Sequence, residues 1–171
     1  EYTMEYMDYS LEQYISKYNN TIEYSKRKRL GTQILNAFNY IHSKDILHRD
    51  ISPKNVLLKV YDDVDVIKIA DFGLVKIPDS GLTAFDTELK GAFNDPALSQ
   101  EGFKYYSMVH ETYALTKLLY FILTGRTKIN SNKIGNENLK TFVSKGTNID
   151  KKQRFQNVKE MIPYFNKINL E

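Results

Sequence analysis

The sequence predicts a mainly helical domain with one small β-hairpin, an α+β fold overall. Three observations carry that expectation. Leu30, Ile34, Leu35, Phe38 and Ile41 recur at helical spacing and give one apolar face to a helix over 24–43. Met108, Val109, Tyr113, Leu115, Leu118, Leu119, Phe121, Ile122 and Leu123 make residues 107–124 apolar on several sides, the pattern of a helix buried in a core. Val56-Leu57-Leu58 and Val66-Ile67-Lys68-Ile69 read as two short strands joined by the acidic turn Asp62-Asp63.

In chain order, Glu1-Tyr2-Thr3-Met4-Glu5-Tyr6-Met7 alternates like a strand already under way, so the chain is expected to begin in mid-domain. Ser10-Leu11-Glu12-Gln13 has capping-box spacing and should open a short helix. Ile46-Leu47 leads from the 24–43 helix into a polar loop, 48–55. Residues 71–96 hold three Gly and two Pro and show no sustained period; a loop this long in a compact domain is usually functional. Gly125 should stop the 107–124 helix. Residues 126–136 are polar and loop-like, and two shorter helices follow over about 137–145 and 156–166.

The 171 residues fit one domain with one core. A hydrophobic share of 42% and a charged share of 26% place the chain among soluble globular proteins. A net charge of +3 is too mild to predict nucleic-acid binding. The densest basic cluster, Lys26-Arg27-Lys28-Arg29, opens a helix and is expected as an exposed first turn, with a contact patch as the minority reading. With no Cys, disulfides and thiolate metal sites are excluded; a reducing compartment fits, and a cytoplasmic location is expected. No apolar run approaches the length of a membrane span, and the start does not read as a signal peptide.

Asp50, Asn55 and Asp71 sit on loops at the two ends of the hairpin, and a hairpin returns the chain so that its ends can converge. Hard oxygen donors suit Mg²⁺, which is commonly held by few protein groups plus phosphates. A further carboxylate beside it could accept a proton from a hydroxyl. Together these suit phosphoryl transfer, in which positioning and charge neutralisation dominate. Each motif alone could be a capping or turn Asp; the ordered set is specific.

His48-Arg49-Asp50-Ile51-Ser52-Pro53-Lys54-Asn55 followed by Asp71-Phe72-Gly73 resembles the catalytic loop and metal-binding motif of the protein kinase family. The resemblance covers nearly the whole chain and implies a kinase C-terminal lobe: hinge strand 1–8, catalytic loop 48–55 and activation segment 71–97, with the N-terminal lobe outside the chain. It implies ATP and Mg²⁺ as cofactors and a protein substrate as partner. Asp50 would take the acceptor proton, Lys54 would approach the γ-phosphate, and Asn55 and Asp71 would hold Mg²⁺. Met4 would be the gatekeeper, the backbone of Glu5 and Met7 would meet adenine, and Leu57 and Ala70 would floor the nucleotide pocket. His48 and Phe72 would pack to set the geometry. Arg49 would pair with a phosphate or acid on the activation segment, where Ser80, Thr83 and Thr87 are candidate phosphosites. Tyr40-Ile41-His42-Ser43, Glu111-Thr112-Tyr113-Ala114-Leu115 and Arg154 also resemble family positions.

Several residues depart from that pattern. Ser52 stands where Ser/Thr kinases carry Lys, and Lys90 where they carry a Thr. Asp95-Pro96-Ala97 replaces Ala-Pro-Glu, so the ion pair to Arg154 is expected to be missing. Glu111 replaces an Asp, with a carboxylate still able to reach backbone donors. The stretch after Gly125 is too short for a further substrate-docking helix. The Gly-rich loop and strand Lys that clamp phosphates lie outside these residues, so the chain alone is expected to bind ATP poorly. The leading expectation is an ATP-dependent Ser/Thr protein kinase. The alternatives are a kinase-like small-molecule phosphotransferase, and a pseudokinase or interaction module if the smaller lobe is naturally missing.

Overall fold

A computed structural model describes residues 5–62, 64–72 and 93–170. Strand β1 (Tyr9–Ser10) leads into helix α1 (Leu11–Tyr18), and after a turn comes helix α2 (Tyr24–His42). Strands β2 (Val56–Val60) and β3 (Asp65–Ile69) form the hairpin. A short helix α3 (Leu98–Glu101) and a single 3₁₀ turn, Phe103–Tyr105, precede the central helix α4 (Met108–Thr124). Helices α5 (Glu137–Gly146) and α6 (Val158–Asn166) complete the bundle.

The sheet is antiparallel in the order β1-β2-β3. Alternation on the hairpin buries Val56 and Leu58 from β2 and Asp65 and Ile67 from β3. Gln33 on α2 covers the outer edge of β3: its amide donates to the Asp65 carbonyl at 2.8 Å and accepts the Ile67 N–H at 3.2 Å. An edge strand satisfied in this way is blunted against further pairing.

Residues 5–7 are not strand, contrary to the alternation of the sequence. Pairing starts only at Asp8, whose N–H meets the Leu58 carbonyl at 2.9 Å and whose carboxylate accepts the Val60 N–H at 2.8 Å. It ends two residues later because Ser10 becomes the N-cap of α1. The capping box there is complete, with Gln13 N–H to Ser10 Oγ at 3.2 Å and Ser10 N–H to Gln13 Oε1 at 2.9 Å.

Helix α4 is the hub. Twelve of its residues are buried, from His110 to Leu123, and it ends at Gly125 in the left-handed region at φ +70°. A side chain at 125 would be strained and would also collide with Asn19. Leu30, Ile34, Leu35 and Phe38 from α2 join Leu115, Leu118 and Leu119 in one core. Among the described residues no helix is long and apolar enough to cross a membrane.

The basic cluster corrects the expectation of an exposed turn. Arg27 is 7% exposed and spans three chain segments. Its guanidinium donates to the Ile122 carbonyl at 2.7 Å, the Asn19 side chain at 2.9 Å and the Ile22 carbonyl at 3.3 Å. Lys26 pairs with Asp65 at 2.8 Å, and Lys28 reaches the Phe165 and Ile168 carbonyls. Only Arg29 of the four is exposed. The Ile122 carbonyl belongs to the last turn of α4, where a cation both satisfies an orphan acceptor and opposes the negative helix end. Arg27→Met should therefore cost about 2–3 kcal/mol, since it removes charged hydrogen bonds and strands a buried carbonyl. Denaturant unfolding checks this; an unchanged midpoint would remove Arg27 from that role.

Candidate active site

The hairpin is the device that brings the site residues together. Val56 pairs with Ile69, and one step beyond the ladder the Ala70 N–H donates to the Asn55 carbonyl at 2.8 Å. Asn55 and Asp71 thus leave the open end of one antiparallel pair side by side, as the spacing predicted.

His48 fixes the loop to that end. It is fully buried, with Phe38 at 6.0 Å and Phe72 at 4.9 Å between ring centroids. Its Nδ1 accepts the Asp50 N–H at 3.3 Å, which leaves Nε2 to donate to the Ala70 carbonyl at 2.8 Å. One neutral imidazole thereby links the backbone before Asp71 to the backbone of Asp50.

Asn55 sets the Asp50 side chain. Its amide nitrogen donates to the Asp50 carbonyl at 2.8 Å and to Asp50 Oδ2 at 3.0 Å. With both N–H bonds committed, the Oδ1 carbonyl is the one polar atom the amide keeps for another ligand. That oxygen and the exposed carboxylate of Asp71 are the hard donors Mg²⁺ takes, so the residues present fit the ion.

Two of the loop residues hold a backbone conformation that non-glycine residues rarely adopt. Arg49 sits at φ +69° and Asp71 at φ +61°. Such positions cost about 1–3 kcal/mol each and persist where the surroundings over-determine them. For Arg49 the restraint is Glu111: its fully buried carboxylate accepts the Arg49 N–H at 2.6 Å through one oxygen and contacts His42 Nε2 at 3.1 Å through the other. The Arg49 guanidinium stacks over Phe103 at 4.4 Å and donates to the Phe103 carbonyl at 3.2 Å, and burial lowers its pKa.

The expected nucleotide-contacting residues converge in part. Glu5, Met7, Lys54 and Leu57 border one open cleft of about 610 Å³, together with Glu12 and Gln13 at the start of α1. Glu5 also pairs with Lys68. Ala70 lies apart from that cleft lining, at the end of β3 beside Asn55. Met4, Gly73, Ser80, Thr83, Thr87 and Lys90 lie outside the described residues. Phe72 is packed on His48 yet 42% exposed, less enclosed than its expected packing role implies.

The expectation that Arg154 lacks an acid is overturned. Arg154 pairs with Asp95, and the two are 3% and 2% exposed. The carboxylate has moved from one side of Pro96 to the other, and its second oxygen accepts the Ala97 N–H at 3.0 Å. The pair joins the end of the long loop to the turn that precedes α6. Nothing in a linear pattern reports that a carboxylate two residues early can reach the same guanidinium. The role of His42 was likewise not read from sequence, because its partner Glu111 is 69 residues away.

A family model described as the protein kinase domain matches residues 2–169. The chain belongs to the protein kinase family. Among curated relatives, cyclin-dependent kinase 1 of Encephalitozoon cuniculi is 32% identical over 105 residues, 60% of this chain and 34% of its own length. Serine/threonine-protein kinase RAD53 of Saccharomyces cerevisiae is 33% identical over 111 residues, covering 57% of this chain and 13% of its own. The chain thus spans about a third or less of these two relatives. The solved structure of the Rad53 kinase domain and SCD2 superposes with a TM-score of 0.69, covering 95% of this chain and 63% of that one at 22% identity. At that identity the likeness is one of fold: the helical body and the small antiparallel sheet are those of a kinase domain.

Proposed function

We propose that this kinase-family chain carries the catalytic lobe of an ATP-dependent protein kinase that phosphorylates Ser/Thr hydroxyls. The supporting observation is the Asn55 amide, which holds the Asp50 carboxylate with its nitrogen and keeps its oxygen for a cation. Asp50, steadied by Asn55 and by the backbone bond to His48, is oriented to accept the proton of an incoming hydroxyl. Asn55 and Asp71 would hold Mg²⁺, which when bound neutralises charge on the phosphate oxygens. Lys54 is exposed at the cleft and adds a cation on the same side. Glu5, Met7 and Leu57 border the cleft where adenine would rest. The Gly-rich cover and Lys clamp of such a site would come from a smaller lobe N-terminal to these residues. The likeness to RAD53, a serine/threonine-protein kinase by name, supports the choice of acceptor.

One observation favours a second reading, a small-molecule acceptor. Between Gly125 and α5 only the turn Ser131–Lys133 is formed, where a substrate-docking helix would be expected. Labelled ATP offered to the complete domain with protein mixtures and with small alcohols separates the two. Transfer to Ser/Thr in protein is expected; label appearing only on alcohols would replace the protein-kinase reading, and no transfer to either would leave a non-catalytic module.

A further inference from the structure

The Asp95–Arg154 pair and the Glu111–Arg49 contact flank one buried histidine. His110 is 2% exposed, and its Nδ1 accepts the Ser107 N–H at 3.0 Å, closing a capping box at the start of α4. A Gln or Glu ordinarily makes this contact. With Nδ1 an acceptor, the proton of the neutral ring is on Nε2. That atom faces Glu101 Oε2 at 3.6 Å and Asp95 Oδ2 at 3.8 Å, and it has no hydrogen-bond partner among the described residues. Lys151 and Arg154 add positive charge from the turn before α6. Tyr106 stacks 5.5 Å away, its phenol kept neutral by burial and by Glu111. The next residue on α4 is Glu111, which restrains the strained Arg49 backbone.

We propose that His110 is a positioning residue that ties the anchored end of the 71–97 segment to the catalytic loop, and that it does so only as the neutral imidazole. The functional meaning rests on the kinase reading; the geometry does not. Protonation would turn Nδ1 into a donor, which loses the Ser107 N–H and keeps only the Ser107 Oγ, 3.0 Å away, as an acceptor. The cap would open one residue from Glu111, while the charged ring competed with Arg154 for Asp95. Burial, with Lys151 and Arg154, outweighs Asp95 and Glu101 and sets the histidine below its ordinary value of 6.5. An unfolded chain therefore takes up this proton first. Stability from this group is full above pH 6.5, falls as pH drops from there toward the lowered folded value, and levels off below it.

The test is an NMR titration of the 171-residue chain. The Arg49 amide shift should follow His110 protonation with the same midpoint, below 6.5. His110→Gln keeps an acceptor at the capping position and should abolish the Arg49 response. An Arg49 amide that stays still while His110 titrates overturns the proposal. So does a response that survives in His110→Gln, which would assign the coupling to His42. In the complete domain, the wild type should keep transfer at about pH 7.5 and lose it at a pH below the lowered value of His110, and His110→Gln should flatten that loss. Failure of the kinase reading would leave no transfer at either pH with the NMR coupling intact, so the two failures are distinct.

Discussion

Asp50→Asn in the complete kinase domain is expected to lower phosphoryl transfer by about 10²–10⁴-fold, the usual contribution of a positioned general base. The substitution is close to isosteric, and its consequences for the loop are small. The Asp50 carbonyl still accepts from Asn55 Nδ2, and a side-chain amide oxygen can take the place of Oδ2 on the second bond. Asn55 therefore keeps its orientation, and the Oδ1 it would offer to Mg²⁺ stays where it is. Nucleotide affinity should change little while kcat collapses. Steady-state kinetics with ATP and protein substrate check both halves. Turnover at the wild-type rate would take Asp50 out of the chemistry. A matched loss of ATP affinity would mean that the loop itself had moved, and that the Asn55–Asp50 bonds matter more for shape than for the proton.

How much of this was legible beforehand depended on the range of each interaction. The helices over 24–42 and 108–124 and the hairpin over 56–69 are written in local periodicity, and they form within a residue or two of their expected limits. The capping box at Ser10 and Gln13 is a four-residue signal and was equally readable. The convergence of Asn55 with Asp71 followed from the hairpin alone. Long-range polar contacts were not readable. Arg27 looks like a surface charge in a run of four, and only the approach of α4's last turn reveals it as a cap. Glu111 looked like a tolerable replacement for Asp, and it does reach a backbone donor; that His42 is its other partner required the fold. Glu5–Met7 alternate like a strand, but the Val60 N–H at the end of β2 is taken by the Asp8 carboxylate instead of by their backbone.

The largest stability effect is expected at the relocated ion pair. Arg154→Met should destabilise the chain by about 3–5 kcal/mol, because it leaves Asp95 buried without its cation. At roughly 2–4 °C per kcal/mol for a chain of this size, the melting temperature should drop by about 6–20 °C. Asp95→Ala should cost less. The guanidinium it leaves behind still donates to the Asn148 carbonyl at 2.6 Å and lies 4.9 Å from the Tyr113 ring. The double variant Asp95→Ala/Arg154→Met should recover much of the loss, since no buried charge remains unpaired. Acid supplies an independent check. Burial pushes the Asp95 carboxyl up, but Arg154, the Ala97 N–H and His110 pull it further down, so its pKa lies below the ordinary 3.8. Its contribution is present above pH 3.8 and is lost as pH falls through the lowered value. The wild-type advantage over the double variant should therefore shrink further in that acid range, well below the window of His110. Restoring the family arrangement, Asp95→Ala/Ala97→Glu, asks whether the pair or the position matters. Recovery of the melting temperature there would mean that the segment needs one carboxylate on Arg154 from either side of Pro96. If this variant is no better than Asp95→Ala, the bond from Asp95 to the Ala97 N–H is an essential part of the anchor. The outcome that sinks the account is a melting temperature for Arg154→Met equal to that of the wild type.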